Sequence, residues 1–251
     1  MKTILITGCS SGFGLETARY FLERDWKVIA TMRSPREDAL PASEQLRVLP
    51  LDVTNPESIA RLVQEAGPID VLVNNAGVGL LSVFQGTPLD SVRGVFETNT
   101  FGAMALCRAF LPQFTEKKSG VLVNVSSTVT LRPLPLLATY TASKAALNAF
   151  TECLALELAP FDVRVRLVLP GQCRETPFGQ NARAMMEATG VSIPEAYADF
   201  ARGVFERVSS GVSALSTNAI DVAEAVWRAA NDTQCPLRLP AGADAVEWAR
   251  G

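Results

Sequence analysis

The sequence contains no histidine among its 251 residues. Histidine is the commonest general acid and base near neutral pH, so any proton transfer by this chain must depend on another side chain. Histidine-based metal sites are excluded as well. The five cysteines are an odd number and lie far apart without a C-x-x-C pair, at Cys9, Cys107, Cys153, Cys173 and Cys235. We therefore expect reduced thiols and no bound metal.

Long apolar runs are also absent. No stretch approaches about 18 uncharged apolar residues, and the apolar run at residues 4–6 is too short for the core of a signal peptide. The net charge is −3 with both signs interspersed, which favours neither nucleic acid nor an anionic membrane as a partner. Because no linker or repeat divides the chain, we expect a cytoplasmic protein with one domain, residues 1–251, that binds small molecules.

Short runs rich in β-branched residues alternate with helical periodicities. The runs predict buried strands at residues 3–7, 27–31, 46–51, 69–74, 120–126 and 163–169. The periodicities predict helices at residues 13–24, 56–66, within 88–116, at 139–159 and at 219–230. Alternating strands and helices form right-handed crossovers, so the pattern predicts an α/β fold: a Rossmann-type doubly wound, mostly parallel sheet with helices on both faces.

Residues 171–217 interrupt this alternation. They mix polar, Gly and Pro residues with the large side chains Phe178, Met185, Met186, Tyr197, Phe200 and Phe205. Irregular segments of this length in compact domains are often lids, which predicts a substrate-binding lid at about residues 172–217. The alternative is a pair of ordinary packing helices.

The stretch TGCSSGFG, residues 7–14, joins the first strand directly to the first helix. Glycines there let backbone N–H groups approach a phosphate closely, and the helix N-terminus supplies partial positive charge. The stretch predicts a dinucleotide-binding turn, although glycine-rich turns also serve plain packing. Its candidate cofactor contacts are Gly8, Ser10, Ser11, Gly12, Phe13 and Gly14.

The end of the second strand, ATMRSPRE, favours NADP over NAD. An acidic residue at this place would bind the ribose 2′-hydroxyl of NAD, but the place holds Met32. Arg33 follows and can pair with a 2′-phosphate, with Ser11 as a second candidate. The alternative for Arg33 is a solvated strand end.

Two further strand ends supply candidate cofactor contacts. Asp52, after the third strand, is placed to accept a hydrogen bond from an adenine amino group, with Val53 packing nearby. Its alternative role is to cap the next helix, for which Thr54 or Asn55 is better placed. Asparagine and glycine also form purely structural turns, yet the NNAG stretch after the fourth strand lies at the same sheet edge and adds Asn75, Ala76 and Gly77.

Four side chains are candidates for the chemistry. Tyr140 and Lys144 lie four positions apart on a predicted helix, which puts both on one face. Ser127 ends the fifth strand, at the edge where such sheets bind ligands. Asn99 falls inside a predicted helix, where it needs a reason such as a local kink or a bound water. The structural alternative for the pair is an ordinary helix face with a partly buried ring and a solvated amine.

Together these motifs resemble the short-chain dehydrogenase/reductase family. The resemblance covers residues 1–171 closely, through TGCSSGFG, NNAG, the Asn99 helix, VSS, YTASK and LPG in the family's order and spacing. It implies a seven-stranded sheet in the order 3-2-1-4-5-6-7. It also implies an oxidoreductase that interconverts a carbonyl compound and an alcohol with NADP(H), NAD(H) being less favoured as cofactor.

The resemblance implies a role for each matching residue. Tyr140 exchanges a proton with the substrate oxygen, and the Lys144 ammonium lowers the pKa of that tyrosine while also holding the nicotinamide ribose. Ser127 hydrogen-bonds the same oxygen, and Asn99 anchors a water. Pro170 and Gly171 turn beneath the nicotinamide. The family places a threonine four residues after that glycine, whereas Thr176 stands five residues after it, so its contact with the nicotinamide is left open.

Residues 236–245, PLRLPAGADA, loosely resemble the C-terminus of carbonyl reductases similar to 17β-hydroxysteroid dehydrogenases. A largely apolar substrate is predicted from this and from the residues after the fourth strand, which are Val78, Leu80, Leu81, Val83 and Phe84. The alternative for these residues is core or subunit packing.

Other functions and an assembly state complete the expectations. A family isomerase or dehydratase and a non-catalytic NADP(H)-sensing regulator are the functional alternatives. The family often forms subunit interfaces from the two long helices. A homodimer or homotetramer is therefore predicted, with an apolar outer stripe that contains Phe101, Met104, Phe150 and Leu154.

Overall fold

The computed structural model describes residues 1–210 and 215–250, so residues 211–214 of the predicted lid and Gly251 lie outside the described residues. The strands are β1 (Thr3–Thr7), β2 (Lys27–Met32), β3 (Leu46–Pro50), β4 (Val71–Asn74), β5 (Gly120–Val125), β6 (Val163–Pro170) and β7 (Arg238–Ala241). They form one sheet in the order β3-β2-β1-β4-β5-β6-β7, and each neighbouring pair is parallel. The predicted fold class and strand order are confirmed.

The helices follow the predicted alternation closely. They are α1 (Gly12–Leu22), α2 (Pro56–Ala66), α3 (Leu89–Phe96), α4 (Gly102–Lys117), α5 (Ala138–Leu158), α6 (Phe178–Ala188), α7 (Ala198–Ser210), α8 (Ala219–Asn231) and α9 (Ala243–Arg250). Across the described ranges, no helix has the length and apolar content needed to cross a bilayer.

Both faces of the sheet are covered, which explains why the three central residues of β1 are all apolar. Ile4 and Ile6 point to the face that packs against Phe21 of α1 and Val226 of α8. Leu5 points to the other face, where Phe110 of α4 is fully buried. A strand that buries alternate residues on opposite faces reads as a continuous apolar run, which is the pattern of a central parallel strand.

The predicted helix within residues 88–116 is interrupted at Asn99. Helix α3 passes into α4 through a π-helical turn, Glu97–Phe101, that contains Asn99. Such a turn inserts a residue into the helical ladder and frequently marks a functional site. The structure thus supplies the local irregularity that an asparagine inside a helix indicated.

The predicted lid contains the two helices α6 and α7. On α7, Ala201 and Val204 are buried against Val83 and Leu136. Leu136 adopts φ +63°, a left-handed conformation that is unfavourable for a bulky residue, just before α5 begins. Its backbone oxygen accepts a hydrogen bond from the backbone N–H of Ser82 at 2.8 Å. Helix α7 therefore packs on the loop after β4 and on the loop that leads into α5.

The predicted outer stripe is partly wrong. Phe101 is exposed, but Leu154 is buried in the core on the α4 side of the sheet. Leu154 faces inward because α5 covers the sheet with that side, whereas Leu156 points outward and is 78% exposed. The predicted oligomer stays a prediction.

Candidate active site

A cleft of about 1180 Å³ opens at the carboxyl ends of the central strands. The turn after β1 forms one wall, and Thr176, Phe178 and Met185 from the first part of the predicted lid form the other. The predicted residues that line it are Gly8, Ser10, Ser11, Gly12, Phe13, Arg33, Asp52, Val53, Asn75, Ala76, Gly77, Tyr140 and Lys144. Residues chosen from five separate stretches of sequence are therefore brought to one cleft.

The remaining predicted residues divide into two groups. Gly14, Asn99 and Ser127 each contact a residue that lines the cleft. Pro170 and Gly171 lie at the end of β6, outside the set of described residues that line it. Their contact with a nicotinamide stays a prediction.

The turn after β1 requires glycine for two reasons. Gly8 and Gly12 have φ values of +75° and +60°, in the left-handed region that favours glycine. A Cβ added to Gly8 would lie 2.9 Å from the Cα of Ala76, and one added to Gly14 would overlap the backbone oxygen of Gly8. The turn is thus packed so tightly that only bare backbone can form this surface of the cleft.

Polar bonds fix this turn to the end of β4. The Asn75 side-chain amide donates to the backbone oxygen of Thr7 at 2.8 Å and to that of Gly8 at 3.3 Å. In return, the Thr7 hydroxyl oxygen accepts from the backbone N–H groups of Asn75 and Ala76 at 3.0 and 2.9 Å. Asn75 therefore has a structural role in addition to its place in the lining of the cleft.

The residues at this turn fit the diphosphate of a dinucleotide. Ser11 is the N-cap of α1, yet its side chain makes no capping bond, which leaves the hydroxyl available to a ligand. The N-terminus of α1 opens onto the same cleft through Gly12 and Phe13. Bare glycine backbone, a helix N-terminus and a free serine hydroxyl are the groups that bind phosphate oxygens.

Two arginines that follow β2 line the cleft. Met32 is buried, and Arg33 is exposed and lines the cleft. Arg36, which sequence reasoning missed, donates from Nη2 to the backbone oxygen of Ser10 at 3.0 Å. That bond holds the Arg36 guanidinium beside the turn after β1, residues 7–14, which we call the phosphate turn. The only sequence signal was its position three residues after Arg33, because the contact depends on how the loop folds back.

Asp52 keeps one carboxylate oxygen for a ligand. Its Oδ1 accepts from the backbone N–H and the hydroxyl of Thr54 at 2.9 and 2.7 Å. These bonds, aided by the charge of Arg33, hold the pKa of Asp52 below its usual range. Asn55 caps α2, as its better placement predicted, so Asp52 does not have the capping role that was its alternative.

Tyr140 lies in the first turn of α5 and is 7% exposed. Its phenol lies beside the Ser127 side chain. Burial of the ring raises the pKa of Tyr140 to about 12, and the neighbouring Ser127 hydroxyl opposes this shift. The pKa is thus raised and not lowered as expected from Lys144, because removing a phenolate from water is unfavourable. The phenol is therefore held in its protonated form at neutral pH, ready to donate.

Lys144 lies one turn further along α5 and is 4% exposed. Its Nζ donates to the backbone oxygen of Val125 at 2.9 Å, and burial lowers the pKa of Lys144 to about 8. Only one of the three ammonium N–H groups is engaged by that bond. A Cβ on Gly77 would lie 3.4 Å from Nζ, so glycine keeps the space beside the ammonium open.

Asn99 connects the π-helical turn to the cleft. Its Oδ1 accepts from the backbone N–H of Val78 at 2.8 Å, and its Nδ2 donates to the backbone oxygen of Val78 at 2.9 Å and to Ser143 Oγ at 3.1 Å. Both amide hydrogens are used, which leaves one lone pair on Oδ1. The water predicted at Asn99 stays a prediction.

Ser143 is a buried residue of the site that sequence reasoning missed. It has no exposed surface, and its hydroxyl donates to the backbone oxygen of Tyr140 at 2.7 Å while accepting from Asn99. Its position three residues after Tyr140, on the same helix face, was the available signal. The residue links Asn99 to the start of α5.

A chain of hydrogen bonds positions the loop that carries Ser127. The Ser126 hydroxyl donates to Asn148 Oδ1 at 2.5 Å, and Asn148 Nδ2 donates to Thr130 Oγ1 at 2.9 Å. Thr130 in turn donates to the backbone oxygen of Ser127 at 2.8 Å. The loop after β5 is therefore fixed to α5, the helix that carries Tyr140 and Lys144.

Residues from the predicted lid face this group. The centroid of the Phe178 ring lies 5.6 Å from that of the Tyr140 ring. A Cβ on Gly79 would lie 2.7 Å from the Phe178 ring. The Thr176 side chain lies against Gly12, 3.2 Å from a Cβ built there. Thr176 thus lies beside the phosphate turn, and Phe178 beside Tyr140.

The apolar substrate candidates after β4 have different environments. Val78 lines the cleft, while Leu80 and Val83 are buried in packing. Leu81 is partly buried against Val83, and Phe84 is 59% exposed. Of the five, only Val78 contributes to the described lining of the cleft.

The fold and the cleft define a doubly wound α/β protein with a site for a dinucleotide. The chain belongs to the short-chain dehydrogenase family, because the family model described as short chain dehydrogenase matches residues 2–187. The predicted family is confirmed.

Two relatives carry names that state a reaction. A 3-ketodihydrosphingosine reductase from Bacteroides thetaiotaomicron is 38% identical over 202 residues, which cover 79% of this chain and 72% of that protein. Retinol dehydrogenase 8 from Homo sapiens is 36% identical over 252 residues, which cover 94% of this chain and 80% of that protein. Both names describe oxidoreductases.

Solved structures of the family contain either cofactor. A short chain dehydrogenase from Burkholderia cenocepacia in complex with NADP has a TM-score of 0.77 and 29% identity, covering 100% of this chain and 94% of that one. A short chain dehydrogenase/reductase from Burkholderia phymatum in complex with NAD has a TM-score of 0.79 and 25% identity, covering 94% and 88%. A nicotinamide dinucleotide cofactor is therefore supported.

Proposed function

We propose that this protein is an NADP(H)-dependent oxidoreductase that interconverts a ketone or aldehyde and an alcohol, with Tyr140 as general acid or base. The observation that carries the proposal is the burial of Tyr140, Ser127 and Lys144 together beside a cleft that fits a dinucleotide. The names of a keto-compound reductase and a retinol dehydrogenase among the relatives support this reaction class.

The side chains have separable tasks in the reducing direction. A nicotinamide cofactor bound in the cleft supplies the hydride. The Ser127 hydroxyl donates a hydrogen bond to the substrate oxygen and stabilises its developing negative charge. Tyr140, kept neutral by burial, gives its phenolic proton to that oxygen, and the free N–H groups of Lys144 stabilise the resulting phenolate.

The pH dependence of reduction follows from Lys144. Because burial lowers the pKa of Lys144 to about 8, its stabilising charge is present below that pH and is lost above it. Tyr140 remains protonated across the same range, since its pKa is raised to about 12. We expect kcat/KM for NADPH to be level below pH 8 and to fall by about tenfold per pH unit above it, measured as initial rates.

The variant Lys144→Arg is the matched control for this profile. A guanidinium stays charged across the range, so whatever rate the variant retains should be independent of pH between 7 and 10, about two units below the guanidinium pKa. A wild-type profile that is level up to about pH 10 would show that the Lys144 charge is not lost near pH 8, and would contradict this account of the pH dependence.

We propose NADP(H) as the preferred cofactor on the basis of Arg33 and Arg36. Both residues line the cleft, and Arg36 is held there by its bond to Ser10. Paired guanidinium groups recognise a phosphate by charge-assisted hydrogen bonds. In the absence of an acidic residue at Met32, nothing at the end of β2 favours a free ribose 2′-hydroxyl.

The variant Arg33→Asp should reverse this preference. Loss of a charge-assisted contact of about 1.5–3 kcal/mol should lower kcat/KM for NADPH by about 10- to 100-fold, while kcat/KM for NADH is unchanged or higher. The control is Arg61→Asp, which makes the same charge change on an exposed position of α2 away from the cleft. Clear preference of the wild type for NADH would refute the cofactor assignment.

We also propose a largely apolar substrate. The surface that faces Tyr140 carries the Phe178 ring, and Val78 lines the same cleft. Aromatic and aliphatic walls around a few polar groups are typical of sites for apolar ligands. The substrates named for the two relatives, a ketodihydrosphingosine and retinol, support the same class.

A further inference from the structure

A buried carboxylate lies at the base of the predicted lid, outside the cleft. Asp244, in the first turn of α9, is 5% exposed. Its Oδ2 accepts from the backbone N–H of Gln172 at 2.7 Å, and its Oδ1 accepts from the hydroxyl of Thr217 at 2.6 Å. Both partners donate to an acceptor that carries charge, which makes such bonds short and strong.

These two partners are the first and last residues of the predicted lid. They also bind each other, since the Thr217 backbone N–H donates to the backbone oxygen of Gln172 at 3.0 Å. The Thr217 hydroxyl oxygen further accepts from the backbone N–H of Gly171 at 3.0 Å. Asp244 therefore joins the two ends of one long segment to the C-terminal helix.

The backbone around Asp244 is shaped for this contact. A Cβ added to Gly171 would overlap the Asp244 carboxylate. Gly242 has φ +101°, and a Cβ added there would overlap the Thr217 hydroxyl. Two glycines thus allow the backbone to approach the carboxylate and its hydroxyl partner on opposite sides, and no larger residue fits at either place.

A carboxylate is also the group that this position needs. Both oxygens of Asp244 accept, and none of the ion pairs among the described residues includes it. An uncharged amide would fit less well: an NH₂ group turned towards Gln172 would leave that backbone N–H without its acceptor. An NH₂ group turned towards Thr217 would move the hydroxyl hydrogen to the backbone oxygen of Ala241, which lies 2.9 Å from the hydroxyl oxygen.

We propose that Asp244 and Thr217 are positioning residues. They hold the two ends of the predicted lid together and thereby set how far the lid lies from the active site. Among the described contacts, none joins them to Tyr140 or to the turn after β1, and their one neighbour among the predicted cofactor residues is Gly171. They act through the chain that starts at Gln172 and reaches Thr176, beside the phosphate turn, and Phe178, beside Tyr140. This inference rests on the proposed function only where substrate and cofactor kinetics are used to measure it.

The decisive variants are Thr217→Val and Thr217→Ser. Valine keeps the shape of threonine but removes the hydroxyl, whereas serine restores it. In Thr217→Val we expect KM for the carbonyl substrate to rise about tenfold with kcat within about twofold, and Thr217→Ser to return KM to the wild-type value. Asp244→Asn, which keeps one acceptor oxygen, should raise KM in the same direction by a smaller factor.

A second readout needs no turnover. Arg174 and Arg183 are exposed trypsin sites in the segment. When the ends of the segment are loosened, the population open to the protease rises, so cleavage at these two sites should be at least about fivefold faster in Thr217→Val and faster by a smaller factor in Asp244→Asn. Thr217→Ser should be cleaved at the wild-type rate.

The control for general loss of stability is Asp70→Asn. Asp70 also accepts from a backbone N–H, that of Thr3 at 2.8 Å, and pairs with Lys117. It lies just before β4, at the amino ends of the strands, whereas Asp244 follows β7 at their carboxyl ends. This variant should lower the thermal midpoint without changing the KM or the cleavage at Arg174 and Arg183.

The outcomes separate this inference from the proposed function. If Thr217→Val is cleaved as slowly as the wild type, or if serine fails to restore protection, the positioning role is wrong whatever the enzyme does. If the wild type reduces no carbonyl compound, the proposed function fails, while the cleavage rates still decide the role of Asp244 and Thr217.

Discussion

The variant Tyr140→Phe should lose about 10²- to 10⁴-fold in kcat for carbonyl reduction while binding NADPH nearly as well as the wild type. The change removes only the phenolic oxygen, so the ring still packs against Phe178 and α5 keeps its place. The lost group is the proton donor that burial holds in its neutral form. Single-turnover rates, with the NADPH dissociation constant from cofactor fluorescence, measure both quantities.

Tyr20→Phe is the matched control for this variant. It removes the same hydroxyl from a tyrosine of α1 that packs against Trp227 and Arg24, away from the cleft. Its kcat should equal that of the wild type. Equal turnover by Tyr140→Phe and the wild type on every active substrate would show that another group donates the proton.

The variant Gly14→Ala should lose cofactor binding and stability together. An added Cβ would overlap the backbone oxygen of Gly8 and lie 2.5 Å from Asn75 Nδ2, in the bonds that hold the phosphate turn to β4. Overpacking of this kind costs about 1–3 kcal/mol. We expect a lower free energy of unfolding and a rise of more than about tenfold in the NADPH dissociation constant, because the same atoms form the cradle.

Gly203→Ala tests the same substitution where space is open. In α7 an added Cβ would approach, among the described residues, only Arg207 Nη1, at 3.6 Å, so replacing a helical glycine should stabilise the protein by about 0.5–1 kcal/mol. NADPH binding by Gly14→Ala at the wild-type affinity would contradict the assignment of the turn as the phosphate site.

The fold could be predicted because its central strands are buried on both faces. In β1, neighbouring residues such as Ile4 and Leu5 pack into different cores, and both cores demand apolar side chains. The pattern is therefore local in sequence even though the sheet is not. The strand order depended on the family resemblance, since apolar runs alone do not state which strands are neighbours.

The residues of the candidate active site could be predicted from the sequence, but the pKa of Tyr140 could not. The spacing of Tyr140 and Lys144 places both on one helix face, and Ser127, also predicted from the sequence, lies beside Tyr140 in the structure. The sequence argument expected Lys144 to lower the pKa of Tyr140. Burial instead raises it, because desolvation depends on packing from several elements at once, which spacing along one helix does not report.

Residues that act through the folded chain were the ones missed. Arg36 reaches the site through a loop that folds back to Ser10. Asp244 meets Gln172 across 72 positions of sequence. The position of Arg36 three residues after Arg33 was a weak signal, and Asp244 had none, because each contact pairs a side chain with a backbone atom whose place is set by the fold. Such contacts become visible only in the folded structure.

The most direct test of the central claim follows a deuterium label from NADPH to product. NADPH deuterated at both positions of nicotinamide carbon 4 is incubated with the wild type and a series of apolar ketones and aldehydes. The account predicts an alcohol with a single deuterium on its carbinol carbon and equal amounts of NADPH oxidised and alcohol formed. A rearranged or dehydrated product without net NADPH oxidation, or NADPH binding without any product, would contradict it.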